Sequence, residues 1–330
     1  MDGIRKVFIA GGTGFLGAPA AQRLRALGVE TRSASLSGGE NCDKLNLFEE
    51  SESSLSEYFA NIGADALVYA LGPDERQAAP APAYEFFRER LAEQCGRICR
   101  AAKRAGAKKL VVFGSYFSHF DALLGGKLSK AHPYIRARRD QEREVLSLNG
   151  EGCAALVLQL PYIFGVTGGR TPIWRESLLS HYDGFGSVFI PRGGTAATTA
   201  EGVADAAAAA VLFGEGGVYP VGGVNLSYKE LFTKMLRAAG DGRKVHTVPA
   251  FLAAPGARLM TKNAKADGRE PGLDYAKLMT QVFPRRFYLD GEQTARALHF
   301  EKLGFSPVRD IDAAIGESMR ACYPERFGGK

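Results

Sequence analysis

Cysteine is scarce: five residues in 330, at positions 42, 95, 99, 153 and 322. None shows zinc-type pairing, and no carboxylate or histidine spacing suggests a metal site. A disulfide-built scaffold is excluded as an organising principle, and the pattern suits a reducing cytoplasm. Cys95 and Cys99 fall on one face of an expected helix, where they pack as small apolar residues. No run of about 18 apolar residues occurs, so no membrane-spanning helix is expected. The Ala-rich piece from Ala204 to Phe213 reads as a buried helix. Met1 to Lys6 leads straight into a strand, leaving no room for a signal peptide. Charge of one sign is also lacking, because 42 Lys and Arg against 36 Asp and Glu give only +6. The basic residues form short scattered clusters with no interleaved aromatic stripe, so neither nucleic acid nor membrane is an expected partner. A small anionic, phosphate-bearing ligand accounts for the charge equally well. There is no internal repeat and no low-complexity tract.

What the sequence does have is Val7-Phe8-Ile9-Ala10-Gly11-Gly12-Thr13-Gly14-Phe15-Leu16-Gly17. A short apolar run of strand type breaks into glycines and resumes as a helical pattern through Ala20, Ala21, Leu24 and Leu27. Strand, glycine turn and helix together hold a pyrophosphate, because backbone N–H groups and the helix N-terminus face it. Gly11 permits the tight turn, Gly14 the close approach of the diphosphate, and Gly17 the close packing of helix on strand. Strands alternate with helices from here to Leu160, which predicts a parallel, doubly wound α/β sheet with ligand at the carboxyl ends of its strands. The expected strands are 29–35, 42–47, 65–72, 108–113 and 153–160. The second half is less regular, with expected helices at 172–181, 200–213, 227–239, 273–282 and 309–323. Short strands fall between them at 188–190, 218–221 and 245–248. It reads as a smaller lobe closing over a cleft.

At the end of the second strand an acidic residue would bond the adenosine ribose and repel a 2′-phosphate. The position falls near Ser35, with no acid and with Arg32 nearby, which tilts the expectation toward NADP over NAD. A simple polar loop is the other reading. Tyr134 and Arg138, four apart on the helix after the fifth strand, share one face. A cation beside a phenol stabilises the phenolate and makes it a usable acid or base. The competing reading has Tyr134 as a packing residue and Arg138 paired with Glu142. The stretch from Tyr116 to His132 is expected to be a long loop over the same end of the sheet.

These residues resemble the extended short-chain dehydrogenases/reductases, with their NAD-dependent epimerase and dehydratase members. Gly11 to Gly17 is similar to that family's GGTGFxG loop, so the resemblance implies cofactor contacts from Gly11, Thr13, Gly14, Phe15, Leu16 and Gly17. Asn46-Leu47 resembles the pair that contacts adenine, with Ser35 nearby. Ala70-Leu71-Gly72 falls where family backbone crosses the cofactor, and Pro161-Tyr162-Ile163 where it lines the nicotinamide. Val111 to Ser115 resembles the strand leading to the catalytic serine. Tyr134 to Arg138 is similar to YxxxK. Val218 to Gly223, Leu226-Ser227 and Leu303-Gly304-Phe305 are similar to the family's substrate-lobe pattern. Two positions depart from the pattern: Arg138 replaces the lysine, and in one alignment Tyr116 takes the serine position while Ser115 stands one residue early.

The resemblance implies a Rossmann-type fold. Residues 1–165 form the NAD(P)-binding domain, segments such as 196–213 return to it, and 166–330 form mainly a substrate lobe. It also implies a cytoplasmic NAD(P)-dependent oxidoreductase or epimerase/dehydratase acting on a small hydroxyl or carbonyl substrate. Tyr134 and Arg138 would serve catalysis and hold cofactor, with a hydroxyl from Ser115, Tyr116 or Ser118. Tyr116, Ser118, His119 and Trp174 are candidate substrate contacts, although a loop histidine and a core tryptophan are the plainer readings of the last two. A homodimer through exposed helices belongs to the same expectation. The alternative is a non-catalytic NAD(P)-binding sensor or scaffold with a degenerate active site.

Overall fold

The computed structural model describes residues 3–74, 78–150, 152–168, 170, 172–252, 257 and 268–327. Seven strands form the main sheet: β1 (Lys6–Ala10), β2 (Glu30–Ser35), β3 (Cys42–Lys44), β4 (Ala66–Tyr69), β5 (Lys109–Ser115), β6 (Ala154–Leu160) and β7 (Gly217–Pro220). Their order across the sheet is β7-β6-β5-β4-β1-β2-β3, every pair parallel. The order reverses beside β1, which opens the crevice where doubly wound sheets bind ligands.

Because both faces are covered, the central strands are continuous apolar runs, and successive side chains go to opposite layers. Val7, Ile9, Val68, Val111 and Leu156 face α1 (Gly17–Ala26) and the helix Ala200–Phe213. Phe8, Leu67, Tyr69, Val112 and Val157 face α2 (Glu52–Ile62) and α3. The helix α3 runs from Ala83–Phe87 through a π-wound turn, Arg88–Glu93, into Gln94–Arg104. Phe8 is fully buried with its ring edge-on to Phe59, centroids 5.0 Å apart. Truncating such a ring costs about 3–5 kcal/mol. In Ala200–Phe213 the alanine side chains let the helix lie close against α1. There Asp205, wholly buried, meets Arg23 at 2.9 Å and also pairs with Arg309.

Three differences from the sequence expectation bear on the site. The stretch after β5 is not a long loop: α4 (Tyr116–Leu123) follows the strand at once. Ser115 starts it by accepting the Phe117 N–H at 3.3 Å, and Tyr116, Phe117 and Phe120 give it a buried face. The strand expected at 218–221 among the second-half elements is Gly217–Pro220, the edge of the main sheet. The expected helix at 172–181 is a π-wound turn, Arg175–Leu179, followed by a 3₁₀ turn, Ser180–Tyr182.

In the second half, Gly194–Thr199 is flanked by Val224–Ser227, Arg286–Phe287 and Tyr162–Phe164. Its core gathers Trp174, Phe232, Met235, Ile315 and Met319. A two-stranded ribbon, Ala78–Pro80 against Arg269–Pro271, ties the region before α3 to a segment near the carboxyl end. Among the described residues no helix is long and apolar enough to cross a membrane.

Candidate functional site

The glycine loop leaves β1 at Gly11, whose φ of +88° suits glycine, and its N–H donates to the Ala34 carbonyl at 3.1 Å. A Cβ on Gly11 would stand 2.9 Å from the Ala70 carbonyl and 2.8 Å from the Leu71 side chain, so those two residues pass directly beside the loop. A Cβ on Gly14 would lie 3.0 Å from the Gly11 carbonyl, and one on Gly17 only 2.2 Å from it. The loop is therefore folded back on itself at the start of α1, with Leu16 in the capping position and no side chain of the loop capping the helix. Open amides at a helix start and a glycine-only contour fit a diphosphate.

At the end of β2, the Ser35 hydroxyl accepts the Gly38 N–H at 3.1 Å and sits 3.3 Å from Ser37 Oγ. Arg32 is engaged with Asp43 at 2.8 Å, whose other oxygen accepts the Tyr58 hydroxyl at 2.6 Å. Lys44, exposed on β3, is in register with Ser35. Asn46 bonds the Phe48 N–H at 3.2 Å and Glu49 at 2.7 Å. Leu47 is buried, and its carbonyl is held by Arg97 at 3.0 Å. Gly72, with φ +119°, follows β4, where a Cβ would meet Leu91 at 2.7 Å.

The helix α5 (Pro133–Leu146) carries Tyr134 and Arg138. Arg138 Nε–H donates to Tyr134 Oη at 2.8 Å. Arg138 Nη1 reaches the Phe113 carbonyl of β5 at 3.1 Å and Gln141 Oε1 at 2.7 Å. The guanidinium thus spans helix, strand end and phenol. Tyr134 is 2% exposed, edge-on to Phe87 at 5.4 Å. The Tyr69 hydroxyl is buried without a hydrogen-bond partner among the described residues, and burial raises its pKa against the lowering effect of the Arg138 charge. Glu142 does not pair with Arg138: it bonds Arg139 at 2.5 Å and Gln159 at 2.7 Å, and burial raises its carboxyl above the usual range.

The hydroxyl candidates lie differently. Ser115 caps α4 through its hydroxyl oxygen. Tyr116 Oη is 2.8 Å from Thr195 Oγ1, and its ring packs against Phe117, Phe120 and Phe287. Ser118 is buried on the same helix, while His119 is half-buried, edge-on to Phe120, with burial lowering its pKa. Pro161 is buried where β6 ends, and Tyr162 and Ile163 run on beside Gly194–Thr199. Trp174 is buried, stacked on Phe164 at 4.7 Å, and donates to the Ile163 carbonyl at 3.1 Å.

A segment whose place beside Tyr134 the sequence does not indicate closes one side. The Tyr134 N–H donates to the Gly272 carbonyl at 3.0 Å, and the Asp274 N–H to His132 Nδ1 at 3.1 Å. His132 is wholly buried, and burial holds its imidazole down at about 4. Gln141, three residues beyond Arg138, was available from helical spacing. Thr195 and Gly272 carry no local signal.

Residues 7–213 match the NAD dependent epimerase/dehydratase family. No curated protein matches the sequence. Among solved structures, the protein gox2253 is similar at 19% identity and TM-score 0.71, covering 98% of both chains. A UDP-glucose-4-epimerase from Stenotrophomonas maltophila, solved with NAD and formylated UDP-arabinopyranose, shares 13% identity at TM-score 0.66, over 98% of this chain and 100% of that one. The Bordetella bronchiseptica enzyme WbmH in complex with NAD+ shares 14% at TM-score 0.64, over 98% and 99%. At such identities the structures speak for the fold, and the family match speaks for descent. The chain belongs to the NAD dependent epimerase/dehydratase family.

Proposed function

We propose that this chain binds a nicotinamide dinucleotide on the Gly11–Gly17 loop and carries out hydride-transfer chemistry on a small hydroxyl or carbonyl substrate, by oxidoreduction, epimerisation or dehydration. In this reading residues 1–165, with 196–213, hold the dinucleotide, and 166–330 mainly read the substrate. The bound nicotinamide supplies a hydride acceptor and donor. Tyr134 moves the proton, taking it from a substrate hydroxyl or returning it to a carbonyl. Arg138 stays cationic throughout and favours the phenolate. The observation that carries the reading is the 2.8 Å bond from Arg138 Nε to Tyr134 Oη. It couples a permanent charge to the phenol at the carboxyl end of β5, beside the crevice of the sheet.

The dinucleotide is NADP in preference to NAD. In support, β2 ends in Ser35 with no acid, Lys44 stands in register with it, and the neighbouring Asp43 is already neutralised by Arg32. The family description and the Stenotrophomonas and Bordetella structures name NAD, so the two cofactors need direct comparison.

A second reading, a dinucleotide-binding sensor or scaffold without turnover, is favoured by one observation. The Tyr116 hydroxyl is engaged with Thr195, and the Ser115 oxygen accepts an N–H at the start of α4. The test is turnover with NAD and NADP over a panel of nucleotide sugars and simple alcohols, read at the reduced-nicotinamide absorbance and by product analysis. Activity lost by about 100-fold or more in Tyr134→Phe, with dinucleotide affinity unchanged, supports the enzyme. Equal activity in wild type and variant rejects Tyr134 as acid/base. Tight dinucleotide binding with no turnover on any substrate supports the sensor.

A further inference from the structure

The turn Thr167–Arg170 approaches the glycine loop from outside. It closes on itself through the Arg170 N–H to the Thr167 carbonyl at 3.0 Å. Thr167 Oγ1 donates to the Phe15 carbonyl at 2.6 Å, and Arg170 Nε–H donates to the Thr13 carbonyl at 2.8 Å. Two side chains of one turn thus grip two carbonyls of the loop that forms the cradle. The Nε bond uses one guanidinium donor of five. Among the described residues, neither Nη of Arg170 makes a hydrogen bond or ion pair, and the side chain is exposed.

We propose that Arg170, pinned by Thr13 and steadied by Thr167, is a clamp for the diphosphate of the nucleotide on this cradle. The inference rests on the dinucleotide reading above and extends it to a residue outside the glycine motif. The planar fork suits the role, because a guanidinium fixed at Nε still presents two nitrogens in one plane, which matches the oxygens of a phosphate. A lysine could supply the charge but not the pinned orientation. The clamp also has a consequence for assembly of the site. It lies a few residues beyond Tyr162–Phe164, so one continuous stretch serves both the expected nicotinamide end and the phosphate end of the ligand.

Titration calorimetry on the full chain tests this with NAD, NADP, ADP and adenosine as probes, for wild type, Arg170→Gln and Arg170→Lys. The clamp predicts that Arg170→Gln weakens NAD, NADP and ADP by about tenfold or more, the worth of one charged hydrogen bond. Adenosine, which has no phosphate, should bind all three proteins within twofold, and Arg170→Lys should recover part of the loss. Unchanged ADP and dinucleotide affinity in Arg170→Gln overturns the clamp while leaving the cradle intact. An equal loss for adenosine overturns it too, because the turn would then be supporting the loop rather than contacting phosphate. A wild type that takes up none of the phosphate-bearing probes overturns the clamp and the dinucleotide reading together.

Discussion

Arg138 donates from Nε to the hydroxyl oxygen of Tyr134 over 2.8 Å, and from Nη1 to the Phe113 carbonyl over 3.1 Å. One guanidinium therefore sets both the charge beside the phenol and the distance between α5 and the end of β5.

Replacing Arg138 should separate those two duties. Arg138→Lys keeps the charge but loses the fork, so activity should fall about tenfold while the phenol's acid limb in the pH profile moves little. Arg138→Ala removes the charge and should move that limb to higher pH, with activity down about 100-fold or more. Identical pH profiles for the two variants would show that Arg138 acts only as a brace. Stopped-flow or steady-state rates across pH provide the measurement.

The cofactor choice is testable at the end of β2. Ser35→Asp places a carboxylate where a 2′-phosphate would lie, and should weaken NADPH about tenfold or more while leaving NADH nearly unchanged. Fluorescence titration of both reduced cofactors measures the ratio. A wild type that prefers NADH would reject the NADP assignment directly.

His132 gives a pH dependence of stability with a definite sign. Its folded pKa is held at about 4, below the ordinary value of 6.5, because burial disfavours the charged ring, which accepts the Asp274 N–H on Nδ1. The unfolded chain therefore binds the extra proton first. Stability from this group is complete above about pH 6.5 and is lost as pH falls toward 4, by at most roughly 3 kcal/mol. Urea unfolding at pH 7 and pH 4.5 should reveal that loss, and His132→Asn should flatten it.

Asp205 is the buried partner of Arg23 and Arg309. Burial raises its carboxyl pKa, against the lowering effect of both arginines. Asp205→Ala leaves two cations facing each other between helices and should cost about 3 kcal/mol. Chemical denaturation checks this, and dinucleotide affinity below the transition should be unaffected.

The parts legible in the sequence were those governed by local rules. Val7 to Gly17 declares strand, turn and helix because Gly14 and Gly17 answer contacts within the same few residues, both against the Gly11 carbonyl. The spacing of Tyr134 and Arg138 sufficed to put them on one helix face. What stayed hidden depends on long-range contacts. Thr195, 79 residues from Tyr116, decides where that hydroxyl goes. The helix at Tyr116 was obscured because its glycines, Gly125 and Gly126 with positive φ, read as loop for the whole stretch rather than as its end. Strand β7 looked like part of the second half because only its partner, β6, assigns it to the main sheet.

The bond from the Tyr134 amide to the Gly272 carbonyl carries a mechanical implication. Any outward swing of the 272–274 segment must break a contact made by the backbone of the very residue expected to handle the proton. The position of the 272–274 segment and the alignment of the phenol are therefore coupled through a single backbone bond.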